Sequence, residues 1–316
     1  MIRNRNPLPQ LSGGLFLNDA GLETDIIFNK GVDIREFAAH TLLPDHTGRE
    51  VLSNYFREML SLANQSDAGF ILDCPTWKAH MHWAGDLAAS EGEIRQANID
   101  SVAFAAGLRD EFSGSEQPIV LNALIGPQGD AYAPETSISA AEAEKYHAQQ
   151  IGWLAETEVD MVTALTFTQA DEAIGAVRAA KKAGLPIVVS FTVETNGKLP
   201  NGQSLVSAIQ QVDAATGNGA AYFMINCAHP DHFSTVIDDD PWVRRIHGLR
   251  CNASRLSHAE LDECEVLDDG NPVELASQYA ALKKRMPWLN VFGGCCGSDL
   301  RHITEIAKVM SADCEV

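Results

Sequence analysis

Two cysteines stand side by side between glycines in "NVFGGCCGSD", residues 290–299, and a third closes an apolar run in "FMINCAHP", at Cys227. Neighbouring Cys295 and Cys296 are poorly placed to bridge each other, because adjacent residues strain disulfide geometry. Three thiolates meeting at one point make a zinc site with a fourth position open to water or substrate. Glycines at 293, 294 and 297 let the backbone turn both neighbouring side chains toward one ion, which a regular strand forbids. Cys227, Cys295 and Cys296 are therefore the expected metal ligands and Zn2+ the expected cofactor. The alternative is ordinary buried core cysteine. Cys74, ending "ILDCPTW", is a further candidate for the same mouth; Cys251, Cys264 and Cys314 read as structural.

Such ligands need a frame. Short apolar runs at 14–19, 69–74, 118–126, 159–167, 185–193, 221–227, 244–252 and 289–296 are apolar on both faces, the mark of buried parallel strands. Helical spacing appears between them at 48–66, 91–112, 139–157, 171–184, 272–286 and 299–310. Strands alternating with helices predict a (β/α)8 barrel, read as a single domain over residues 1–316. A doubly wound open sheet is the alternative, but no GxGxxG or P-loop follows the first strand. In a barrel the site lies at the C-terminal strand ends, where Cys227 and the 295–296 pair fall.

The net charge of −20 repels phosphates and anionic lipid surfaces, so neither nucleic acid nor membrane is an expected partner; a cationic ligand is tolerated. The opening "MIRNRNPLPQL" lacks the apolar core of a secretory leader, and seven cysteines, an odd number, do not read as a disulfide framework. A cytoplasmic protein is expected.

Four stretches carry a resemblance: "NDAGLETDI" (18–26), "SFTVETNGKLPNGQSL" (190–205), "INCAHP" (225–230) and "FGGCCGSDLRHI" (292–303). From about residue 15 to about residue 310 the chain resembles the zinc-dependent homocysteine S-methyltransferases, the group of the betaine– and S-methylmethionine–homocysteine enzymes. The resemblance implies methyl transfer to a metal-bound thiol, homocysteine giving methionine. At 316 residues, no folate or cobalamin domain like those of the large methionine synthases is expected, and a compact sulfonium or quaternary ammonium donor is the expectation. Aromatic faces hold such cations; Trp77 and Tyr132 are the candidates.

Two departures from the family pattern concern the acceptor. Asp-Gly-Gly becomes Asp19-Ala20-Gly21, keeping the aspartate that the family places near the substrate amine. In "VTALTFTQADEA" (162–173), Leu165 takes the place of the family's amine-holding glutamate, with Thr166 after it. Glu23 is the expected replacement and Glu194 a second candidate, so the expected substrate residues are Asp19, Glu23, Thr166 and Trp77. His229 is either a loop residue held by local hydrogen bonds or a contact at the mouth, and Asn226 braces the Cys227 strand end. Competing functions are an amine-free thiol acceptor, a non-catalytic zinc-binding barrel, and a zinc hydrolase, for which no HExxH motif is present.

Overall fold

Eight parallel strands close on themselves in chain order: β1 Phe16–Leu17, β2 Gly69–Cys74, β3 Ile119–Ile125, β4 Met161–Phe167, β5 Ile187–Phe191, β6 Phe223–Asn226, β7 Ile246–Cys251 and β8 Val291–Gly294. This computed structural model describes residues 7–114, 116–131 and 137–312, so Tyr132 and Cys314 lie outside the described residues. The fold is the expected (β/α)8 barrel, with β1 pairing β8 to complete the ring.

Helices His46–Gln65, Glu91–Glu111, Ala140–Ala155, Ala170–Ala183, Pro272–Arg285 and Leu300–Ala312 match the expected ones closely. Ser90 and Ser139 start two of them with reciprocal Ser/Glu capping boxes, satisfying backbone N–H groups that have no intrahelical partner. Helix Leu205–Thr216 was not anticipated; Ser204 caps it and left-handed Gly217 ends it. After β6 the crossover contains only the short turns Pro230–Phe233 and Pro241–Arg245. No helix is long and apolar enough to cross a membrane, among the described residues.

Side chains alternate along each strand. One set, including Phe70, Leu72, Leu121, Val162, Val189, Ile225 and Leu249, packs outward against the helices. The other fills the barrel in two layers. The lower layer is apolar: Phe16, Ile71, Val120, Met161, Val188, Met224 and Val291. Gln10 plugs its open end, with Nε2 donating to the Tyr222 hydroxyl at 3.2 Å while Asn290 donates to its carbonyl at 2.7 Å. Two residues further along the strands the interior turns polar, with buried Asn18, Asp73, Asn122, Thr163, Ser190, Asn226 and Arg250. The strands are thus not apolar on both faces throughout, and their inward polar residues form the floor of the site.

Candidate metal and acceptor site

The three expected thiols meet above that floor. Cys227 Sγ lies 2.8 Å from Cys295 Sγ and 3.8 Å from Cys296 Sγ, and all three sulfurs are within 4.8 Å of one another. Among the described residues this is the only cluster of three or more His, Cys, Asp or Glu with the spacing to hold one metal ion. Hydrogen bonds from Cys227 and Cys296 hold the Cys295 thiol well below its ordinary value, while sharing a proton with Cys295 raises that of Cys227. Such a set already favours one thiolate and suits a thiophilic divalent cation. Cys74 lines the same cavity, as expected of a candidate for that mouth, but is not part of the cluster; it is fully buried, and burial pushes its thiol up.

The backbone around the thiols is special. Cys227 sits at φ 53°, a left-handed conformation costly for a residue with a Cβ. Its N–H donates to the Arg250 carbonyl at 3.1 Å, and its carbonyl accepts from His258 Nε2 at 2.7 Å and Thr192 Oγ1 at 3.2 Å. The expected role of the glycines divides in two. Gly297, at φ 79°, makes the turn after the pair, and its N–H donates to Thr24 Oγ1 at 3.1 Å. Gly294 remains in β8, where a Cβ would lie 2.0 Å from Ser298 Oγ; close packing, not turning, requires glycine there.

Below the thiols, Arg250 lies between two carboxylates. Its Nη2 pairs with Asp19 Oδ1 and its Nη1 with Asp73 Oδ2. Asn122 Nδ2 donates to the other Asp73 oxygen at 2.7 Å, and the Tyr55 hydroxyl approaches Asp19 Oδ2 at 3.5 Å. Burial works against the Arg250 charge, but Asp19 and Asp73 more than offset it and hold the guanidinium protonated. Burial raises the Asp19 carboxyl, with Arg250 opposing.

A cavity of about 110 Å³ opens over this floor, room for several waters or a small organic molecule that displaces them. Asp19, Glu23, Thr166 and Trp77 all line it, together with Leu165, Arg250 and the three cysteines. Glu23 makes no ion pair among the described residues; burial, which outweighs a bond from its own backbone, raises its carboxyl to about 7. Leu165 presents an apolar side chain to the cavity, and its carbonyl accepts from Trp77 Nε1 at 3.1 Å. Thr166, also left-handed at φ 64°, sits where the β4–β5 register shifts. Asn226 clamps that irregularity: Oδ1 accepts from Thr166 N–H at 3.0 Å and from Ser190 Oγ at 2.6 Å, and Nδ2 donates to Thr166 Oγ1 at 2.8 Å. It therefore braces the ends of β4 and β5 across the barrel.

Glu194 stands apart from this cavity, with Oε1 3.1 Å from His258 Nδ1. His229 caps the Pro230–Phe233 turn, with Nδ1 accepting from Asp231 N–H at 3.2 Å, and burial lowers its pKa to about 4. Arg250 and Asp73 are the site residues that sequence reasoning missed. The available signal was one polar residue near the end of each otherwise apolar run, as in "FILDC" and "HGLRC".

A family model described as homocysteine S-methyltransferase matches residues 17–310. Betaine–homocysteine S-methyltransferase 1 of Rattus norvegicus is 25% identical over 190 residues, covering 55% of this chain and 46% of that protein. Homocysteine S-methyltransferase 3 of Arabidopsis thaliana is 24% identical over 207 residues, covering 62% and 59%. The chain thus spans about half the length of the curated relatives it matches. Among solved structures, the homocysteine methyltransferase MmuM of Escherichia coli superposes in its oxidized form with a TM-score of 0.73 at 15% identity, covering 98% of this chain and 99% of that one. Its metallated form gives 0.70 at 15% identity, covering 96% and 99%. At that identity the likeness speaks for the fold.

Proposed function

We propose, from the premise that this chain belongs to the homocysteine S-methyltransferase family, that it moves a methyl group from a sulfonium or quaternary ammonium donor to the thiol of homocysteine. In this reading one barrel domain carries the whole site, and Cys227, Cys295 and Cys296 hold a zinc ion. The observation that carries it is the three-sulfur cluster facing a cavity that also presents Glu23, which makes no ion pair among the described residues. The donor set fits: three sulfurs, no competing hard ligand in the cluster, and two of the three cysteines only half-buried on the cavity side. When bound, zinc supplies a Lewis acid that lets an acceptor thiol, of ordinary pKa about 8.5, lose its proton near neutrality.

The chain's own residues do the rest. Glu23, ionised, meets the ammonium of homocysteine, and Asp19 lies on the same wall. Leu22, Phe37, Leu165 and Trp77 make the cavity apolar and exclude water around the reacting sulfur. The Trp77 ring offers a face to the donor cation, although Lys78 Nζ already lies 5.8 Å from its centroid. The sulfur–carbon bond forms as the methyl group leaves the donor, which takes the bonding pair and departs neutral. Free thiols suit a reducing, cytoplasmic compartment.

A second reading has support in Leu165, which offers no charge, and in Arg250, which pairs with Asp19: the acceptor is a thiol without an amine. One experiment separates the readings. Zinc-loaded protein is titrated with homocysteine and with 4-mercaptobutyrate, following heat and proton release, and methionine formation is then assayed with each donor class. Tighter homocysteine binding with methionine produced supports the first reading. Equal or weaker homocysteine binding favours the second, and no proton release by either thiol overturns both.

A further inference from the structure

The guanidinium of Arg250 reaches three strands besides its own. It pairs with Asp19 after β1 and Asp73 on β2, and its Nε donates to the Gly294 carbonyl on β8 at 3.2 Å. That carbonyl belongs to the residue immediately before Cys295. The main chain of the same stretch holds all three cysteines. The Arg250 carbonyl accepts from Cys227 N–H at 3.1 Å, the Cys251 carbonyl from Cys295 N–H at 2.9 Å, and Ala253 N–H donates to the Cys296 carbonyl at 3.1 Å. Residues 250–253 are thus a common backbone reference for the thiols, and the side chain of the first of them grips the Asp19 carboxylate that lines the cavity.

We infer that Arg250 is a positioning residue that couples the three-thiol cluster to Asp19, so that metal affinity and acceptor recognition are set together. The metal half stands on the cysteine geometry; the acceptor half rests on the methyltransferase reading above. Arg250 is 5% exposed, and among the described residues it is the one Lys or Arg lining the cavity. The fork of its donors matches three acceptors in different directions. Lysine brings the same charge as a single point and cannot span them. Arg250 holds Oδ1 of Asp19 while the Tyr55 hydroxyl approaches Oδ2 at 3.5 Å, so the guanidinium helps fix the orientation of a carboxylate that lines the cavity. Outer partners of metal ligands typically change metal affinity by about 10- to 100-fold when lost.

The test is Arg250→Lys in the full chain. Zinc affinity is read by competition with a chromophoric chelator, and homocysteine and 4-mercaptobutyrate affinities by calorimetry on the zinc-loaded protein, with no donor present. We expect a folded variant whose zinc dissociation constant rises about 10-fold or more. Homocysteine affinity falls by a similar factor and 4-mercaptobutyrate affinity less, because only homocysteine brings an ammonium to the wall that Arg250 positions through Asp19. Wild-type zinc affinity in the folded variant overturns the inference, as does weakened zinc binding with unchanged homocysteine affinity. If the lysine variant does not fold, Asp73→Asn loosens the same clamp from β2 and must weaken zinc binding at least about threefold, a part of the usual effect; no change there overturns it too. Absence of methyl transfer in the wild-type protein with every donor would sink the methyltransferase reading while leaving the zinc measurement decisive for Arg250.

Discussion

Glu23→Gln removes a charge and leaves the shape almost unchanged. Glu23 lines the cavity and makes no ion pair among the described residues, and burial raises its carboxyl to about 7. A charged hydrogen bond to a substrate ammonium is worth about 1.5–3 kcal/mol, and about 1.4 kcal/mol is tenfold in affinity. The variant is therefore expected to bind homocysteine about 10- to 150-fold more weakly, with 4-mercaptobutyrate changed far less. The pH profile carries the same signature. An ordinary glutamate titrates near about 4.3, so through the neutral range Glu23 is still gaining the charge that the ammonium reads. The homocysteine-to-mercaptobutyrate affinity ratio rises as pH climbs through about 7 in the wild type and stays flat in the variant. Stability moves the opposite way. A folded-state carboxyl titrating above its unfolded value retains a proton that the unfolded chain has lost, so its ionisation costs stability as pH rises from about 4.3 to about 7. Glu23→Gln avoids that cost and gains stability relative to wild type between pH 5 and 8, read by urea unfolding of the zinc-free protein. The reasoning fails if the ratio is the same in both proteins, or if the variant keeps the inflection.

Two further changes probe the scaffold. Gly294→Ala would put a Cβ 2.0 Å from Ser298 Oγ, which donates to the Cys295 carbonyl at 2.7 Å and accepts from Gly21 N–H at 3.2 Å; overpacking of this kind costs about 1–3 kcal/mol, and a melting temperature equal to wild type would contradict it. Asn226→Ala strips the clamp from left-handed Thr166 and leaves its N–H buried without a partner. Urea unfolding should show a loss of about 2–4 kcal/mol, of which about 1–3 comes from the orphaned group, and a loss below about 0.5 kcal/mol would mean that the β4 irregularity holds itself.

The sequence by itself determined the barrel and the thiols. Burial on both faces is a property of composition within one strand, so eight apolar runs announced eight strands. Cys295 and Cys296 between glycines, with Cys227 at a strand end, are local patterns too. Helix Leu205–Thr216 escaped notice although Ser204 and Gly217 mark its ends. The polar floor was beyond local reading. Asp73, Asn122, Thr163 and Ser190 each look like an isolated exception within an apolar run, Arg250 is one of several polar residues in its own stretch, and only Asn226, beside Cys227, stood out. Barrel closure brings Arg250 onto Asp19 across 231 residues and onto Asp73 across 177. Charge compensation acts through space, so no stretch of chain could say that Asp19 is paired while Glu23 is not. Only the tertiary structure decided that.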